Sequence, residues 1–138
     1  MELVSDLMTR EVVTVDRNED LSVPDRIMTL GRIRHLPVLD DGRLCGIVSQ
    51  RDLMLNALSR ALGFGSHARD KTLASLPVKE AMTTEVITVS PNTPIAEAAK
   101  LMVNHKIGCL PVVEKGELVG ILTESDFVAR YIRSKSAK

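Results

Sequence analysis

The sequence predicts an α+β fold made of two copies of one small unit, and three observations carry that prediction. Slid along itself by 74 positions (82 − 8 = 74), the chain overlays Asp6–Leu53 on Glu80–Phe127 without a gap. Of those 48 pairs, 17 are identical, where ordinary composition gives about three by chance. The recurring residues are Met8, Thr9, Glu11, Val12, Thr14, Val15, Asn18, Met28, Ile33, Leu36, Pro37, Val38, Gly42, Leu44, Gly46, Ile47 and Asp52. The second observation is that each copy alternates β-branched runs with an amphipathic stretch of helical period. The third is a two-residue turn signal, Asp41-Gly42 and its counterpart Lys115-Gly116, between two apolar runs, as a β-hairpin requires.

The elements of the first copy follow in order. A helical turn over Val4–Met8 leads through Thr9 to a β-rich run, Val12-Val13-Thr14-Val15. Polar residues 16–20 make a turn, and Leu21, Ile27, Met28 and Leu30 give the next helix its apolar side. Pro24 conflicts locally, because proline is tolerated only in a helix's first turn; a helix that starts late or bends is expected. A strand over Leu36–Leu39, the Asp41-Gly42 turn and a strand over Leu44–Val48 follow, with a last helix from near Arg51.

The second copy repeats this order with Val86–Val89, a helix over Ile95–Val103, strands over Leu110–Val113 and Leu118–Leu122, and a helix to about Arg133. There Thr93-Pro94 reads as a capping residue followed by proline at the first helical position. Between the copies, a helical stretch is broken at Gly63-Phe64-Gly65-Ser66 and passes into polar residues that include His67. The expected division is residues 1–60 for the first unit, 61–77 for a linker, and 78–138 for the second unit with a C-terminal tail.

Composition excludes several function classes. Lys+Arg and Asp+Glu are both 18, for a formal net charge of zero, which is a poor footing for phosphate-backbone binding. Phe64, Phe127 and Tyr131 are the only aromatics, too few to stack a single-stranded nucleic acid. No apolar run approaches the roughly 18 residues of a membrane span. The start, Met1-Glu2-Leu3-Val4-Ser5-Asp6, carries acids where a signal peptide carries Lys or Arg. With Cys45 and Cys109 as the only cysteines, no disulfide framework is expected, and a cytoplasmic location fits best. His105 and Cys109 are four apart but share no helical face, so no metal site is expected. Neither a Walker-type phosphate loop nor a nucleophile elbow is present, and Met28 and Met102 read as core. No enzyme is expected.

One spacing carries chemistry in both copies: Ser49-Gln50-Arg51-Asp52 and Thr123-Glu124-Ser125-Asp126. Two readings of it stay open. A hydroxyl residue with an acid three positions on is the spacing of a helix capping box, which needs no ligand. Equally, an ionised carboxylate can accept from both hydroxyls of a ribose, while a hydroxyl at a helix N-terminus can face phosphate.

Taken together and in order, Met8-Thr9, Val12–Val15, Met28, Leu36-Pro37-Val38, Asp41-Gly42, Gly46-Ile47-Val48-Ser49 and Asp52 resemble a CBS domain. Met82-Thr83, Val86–Val89, Met102, Leu110-Pro111-Val112, Gly116, Gly120-Ile121-Leu122-Thr123 and Asp126 resemble it a second time. The resemblance is to a tandem pair, or Bateman module. It implies two β-α-β-β-α units packed through their sheets around a pseudo-twofold axis, with clefts between them that hold AMP, ADP or ATP, or alternatively S-adenosylmethionine or NAD. It implies a regulatory module rather than an enzyme, with no obligatory cofactor, a homodimer of pairs, and a regulated protein partner.

For one cleft the resemblance combines Thr123 and Asp126 with Thr9, Val12, Val13, Ile33, Arg34 and His35. For the other it combines Ser49, Arg51 and Asp52 with Thr83, Val86, Ile87, Ile107, Gly108 and Cys109. The two would differ where the repeat fails, at Arg34-His35 against Gly108-Cys109 and at Arg51 against Ser125. Arginine matches phosphate geometry, whereas a plain surface role for Arg34 and Arg51 and a hydrogen-bonded, partly buried role for His35 stand beside it. The rival readings of the whole are a ligand-free dimerisation module and an accessory subunit of a separately encoded enzyme or transporter.

Overall fold

The structure is a computed structural model that describes residues 1–61, 71 and 73–136, with the backbone alone for 56–61 and 136. The expected break at Gly63–Ser66 and the histidine at 67 lie outside the described residues. The chain forms two compact units. One is continuous, Val13–Val86; the other is split, Met1–Val12 with Ile87–Lys138. Both are α+β.

In the continuous unit, β1 (Val15–Asp16), α2 (Ser22–Gly31), β2 (His35–Asp40), β3 (Arg43–Ser49) and α3 (Gln50–Ala61) follow α1 (Val4–Leu7) of the split unit in chain order. The sheet order is β1-β2-β3, with β1 parallel to β2 and β2 antiparallel to β3. A 3-10 turn over Val78–Glu80 closes the unit. The split unit holds α4 (Ile95–His105), β4 (Cys109–Glu114), β5 (Glu117–Thr123) and α5 (Glu124–Ser136). Its β4–β5 ladder repeats the β2–β3 register, bulge included. Both hairpins turn through left-handed backbone, Asp41 at φ 52° with Gly42 at 81° and Lys115 at 52° with Gly116 at 81°. That is the twist a two-residue hairpin needs.

The β-rich runs 12–15 and 86–89 pair over less of their length than their composition predicts. Only Val15 and Asp16 form a strand, and Val89 makes a single parallel bridge to Val112. Proline is the physical reason. Val89 donates to the Pro111 carbonyl at 3.1 Å and accepts from Val113 N–H at 2.9 Å. The next rung back needs an N–H from residue 111, or from residue 37 in the other copy, and proline has none.

Pro24 sits in the first turn of α2, where its missing N–H costs nothing. Asp20 prepares that start by accepting from both the backbone N–H and the hydroxyl of Ser22. In the second copy the helix begins at Ile95, and Pro94, with extended backbone, is the N-cap. This corrects the expected Thr93 cap: the Thr93 hydroxyl instead accepts from Ser90 N–H at 3.1 Å.

Each unit has its own apolar core. Leu21, Met28, Leu36, Val38, Val48 and Leu53 fill the continuous unit, with Leu73, Leu76 and Val78 from the stretch before the second copy. Ala98, Met102, Leu110, Val112 and Leu122 fill the split unit, with Val4, Leu7 and Met8 from the start of the chain. The segment ahead of each copy therefore packs into the other copy. The hydrogen bonds repeat this exchange in register: Val4 N–H to Thr93 O at 2.8 Å matches Val78 N–H to Glu19 O at 2.7 Å.

Candidate functional site

The exchange sets up both candidate sites. Thr9 pairs with Ile121 through two backbone bonds of 2.9 Å, and Thr83 pairs with Ile47 through bonds of 2.8 and 3.0 Å. Glycine makes this approach feasible. A Cβ at Gly46 would stand 2.9 Å from the Thr83 carbonyl oxygen and 2.7 Å from Met82 Sδ; at Gly120 the distances to Thr9 O and Met8 Sδ are 3.1 and 2.7 Å. Sequence reasoning assigned these glycines no role. The signal was there: Met-Thr and Gly recur together at one spacing.

In the continuous unit, Ser49 ends β3 and Asp52 lies in the first turn of α3. Ser49 N–H donates to Asp52 Oδ2 at 2.9 Å, and Asp52 N–H donates to Ser49 Oγ at 3.0 Å. This is a complete capping box. His35 pairs with Ser49, and Gln50 N–H donates to the Arg34 carbonyl at 2.8 Å, so the Ile33-Arg34-His35 segment lies beside the box. Arg34 and Arg51 are exposed; Ile33, His35 and Val86 are half-buried; Val13 is exposed.

In the split unit the same spacing gives a different network. Thr123 N–H donates to Asp126 Oδ2 at 2.8 Å, but the Thr123 hydroxyl shares a 2.8 Å bond with Ser125 Oγ. The Thr9 hydroxyl donates to Asp126 Oδ1 at 3.2 Å. Among the described residues, Thr83 makes no matching bond to Asp52. Glu124 N–H approaches the Gly108 carbonyl at 3.4 Å, and Cys109 pairs with Thr123. Burial first, and the Asp126 carboxylate second, push the Cys109 thiol up to about 12, so it is an inert wall rather than a nucleophile. Val12, Ile87 and Ile107 are half-buried here.

The structure thus brings Thr9, Thr123 and Asp126 together in one unit, and Ser49, Asp52 and the backbone of Arg34 in the other. Both carboxylates are half-buried, held by backbone N–H groups yet open to solvent. Among the described residues, no three His, Cys, Asp or Glu side chains cluster to hold a metal ion. No helix there is long and apolar enough to cross a membrane.

Comparison with known proteins agrees with this architecture. The CBS domain model matches twice, at residues 4–59 and 78–133. A Vibrio cholerae protein provisionally described as an acetoin utilization protein (AcuB) is 42% identical at a TM-score of 0.82, over 99% of this chain and 94% of that one. CBSX2 in complex with AMP is 27% identical at a TM-score of 0.80, over 96% and 98%. The CBS domain pair of protein MJ0100, in complex with 5-methylthioadenosine and S-adenosyl-L-methionine, is 28% identical at a TM-score of 0.76, over 98% of each chain. The chain belongs to the CBS domain family and carries two CBS domains.

Proposed function

We propose that this chain is a non-catalytic regulatory module that binds an adenine nucleotide through Asp52 and Asp126 and passes its state to a partner or a dimer contact. One observation carries the reading: in each unit a half-buried carboxylate is fixed at a helix N-terminus beside a hydroxyl. That arrangement suits a ribose on the acid and a phosphate near the helix start. Two similar CBS pairs hold adenosine derivatives: 5-methylthioadenosine with S-adenosyl-L-methionine in one and AMP in the other. AMP, ADP or ATP is the proposed class, with S-adenosylmethionine and NAD as further candidates. Arg34 and Arg51, both exposed, would then meet phosphate. Any regulation extends only as far as the ligand's affinities for two states differ.

The complete box at Ser49 and Asp52 favours a second reading, in which the acids are caps alone. Titration decides. Asp52→Ala and Asp126→Ala should each weaken AMP or ATP binding far more than the roughly 1 kcal/mol of stability a lost cap costs. Unchanged affinity in both would leave the two acids as caps alone, with no part in holding the nucleotide. A melting-curve screen of the five ligands complements this, since a ligand at about a hundred times its Kd adds roughly 2.7 kcal/mol.

The regulated contact in this reading includes a second copy of the chain. Val128, Tyr131 and Ile132 are exposed at helical spacing on α5, and Met54 is exposed at the position matching Val128. A monomer by sedimentation at tens of micromolar, on the order of a transient-interface concentration, would overturn the dimer. A cytoplasmic location goes with the reading, as do the two free thiols.

A further inference from the structure

The opening segment of the chain is bonded to α5 at two points, and the candidate site is one of them. The Thr9 hydroxyl donates to Asp126 Oδ1 at 3.2 Å. Glu2 accepts twice from Arg130, at 2.6 Å from Nε to Oε2 and at 2.7 Å from Nη2 to Oε1. Asp126 and Arg130 stand four positions apart on the helix, which puts them on one face, a turn apart. We infer that Glu2–Arg130 is a positioning pair for the Asp126 site: it fixes how α5 lies against the opening segment, and so where the carboxylate stands for a ligand's diol. This rests on the nucleotide reading above and deepens it, with neither member of the pair asked to touch the ligand.

Three features give the pair this leverage. The helix is packed on one side: Phe127 lies against the core of the split unit, while Val128, Tyr131 and Ile132 are each more than half exposed. Its start is continuous with β5, which ends at Thr123. The helix can therefore pivot beside Asp126 unless a contact further along holds it. Arg130 supplies such a contact, and its fork fixes direction as well as distance. The other end of the tie is firm. The Glu2 carbonyl accepts from Ile95 N–H at 3.0 Å, Val4 N–H donates to Thr93 O at 2.8 Å, and Thr9 is bonded to Ile121 in both directions. Both side chains of the pair are solvent-accessible. Affinity can therefore respond to the tie only by as much as a screened ion pair supplies.

The test is calorimetric titration with AMP of the full chain carrying Asp52→Ala, which isolates the Asp126 site. Glu2→Gln, Arg130→Gln and both together are added to it. Each single change should weaken AMP about two- to fivefold, the range open to a screened pair. The double change should weaken it no further than either single, because both remove one interaction. The ratio of parent to Glu2→Gln affinity should close towards one in concentrated salt; taking the ratio cancels the phosphate's own salt dependence. In an Asp126→Ala background the same changes should leave AMP binding at the other site as it was. An equal loss in both backgrounds means a general loosening of the fold and overturns the inference. Unchanged affinity in both single variants, or losses that add in the double, overturn it as well and leave the nucleotide reading intact. AMP binding to wild type but not to the Asp52→Ala chain also overturns it, and confines the nucleotide to the Asp52 site. If AMP binds neither wild type nor any variant, the nucleotide reading falls and the inference with it.

Discussion

The two units solve one packing problem with different chemistry. Each must hold a segment donated from outside its own repeat copy. Both bury a valine of that segment, Val78 in one and Val4 in the other, and the continuous unit also buries Leu76, only 6% exposed. The split unit has Glu2 at the position of Leu76, and that residue makes bonds of 2.6 and 2.7 Å to the Arg130 guanidinium. Thr9 adds its bond to Asp126. A greasy clasp is non-directional and carries no charge for salt to screen. A polar clasp is directional, screened and open to competition. The ion pair of the split unit is therefore the contact that salt and pH act on.

The largest effect that tests this contrast lies at Leu76. Leu76→Ala should destabilise by about 2–5 kcal/mol, as buried leucine truncations do, read from urea denaturation. A loss under 1 kcal/mol, about the size of a surface change, would show that the burial contributes little. Next come the glycines. Gly46→Ala and Gly120→Ala should each cost about 1–3 kcal/mol by overpacking, with Gly46 the worse. There the added carbon meets a backbone oxygen at 2.9 Å, against 3.1 Å at Gly120, and backbone yields less readily than a methionine side chain. The reverse order would mean that the Met82 segment relaxes more easily than the Met8 segment.

These glycines also mark how far the sequence could be read. The repeat, the hairpins at Asp41-Gly42 and Lys115-Gly116, and the helices follow from periodicity and turn chemistry, and the structure contains them. The exchange of segments was not legible, for a physical reason. Met8-Thr9 and Met82-Thr83 are equivalent, and so are Gly46 and Gly120, so either pairing satisfies the same local contacts. Only the path of the chain chooses between them. Residues 12–15 read as a β-rich run, but only Val15 of them enters a strand, because β propensity overlooks the missing N–H of Pro37 on the neighbouring strand. At the site, the Ser49–Asp52 box was visible as a spacing. The bond from Thr9 to Asp126 joins residues that no local pattern connects.

The caps supply a finer comparison. Ser49 Oγ accepts from Asp52 N–H, while the Thr123 hydroxyl is turned to Ser125, which stands where the other copy has Arg51. Ser49→Ala should therefore cost about 1 kcal/mol, and Thr123→Val distinctly less. Equal losses in melting experiments would show that Thr123 caps its helix after all and that the two boxes do not differ.

The smallest effect is expected at the polar clasp itself, and its dependence on conditions matters more than its size. Glu2 and Arg130 are both solvent-accessible, so water and salt screen the pair. The Arg130 hydrogen bonds are the main cause that holds the Glu2 carboxyl below its ordinary value of 4.5, with the positive charges of Arg130, Arg133 and the chain terminus assisting against burial. A folded-state value below the unfolded one means that the contribution is complete above the ordinary carboxylate range. It is lost as pH falls through the lowered value. Glu2→Gln should accordingly lower the melting temperature slightly at neutral pH and low salt. The gap to wild type should close in acid, where wild type loses the same charge, and should narrow in concentrated salt. Leu76→Ala should show neither trend. A Glu2→Gln deficit that persists unchanged in acid and in salt would mean that the charge pair adds nothing to the packing of Val4, Leu7 and Met8.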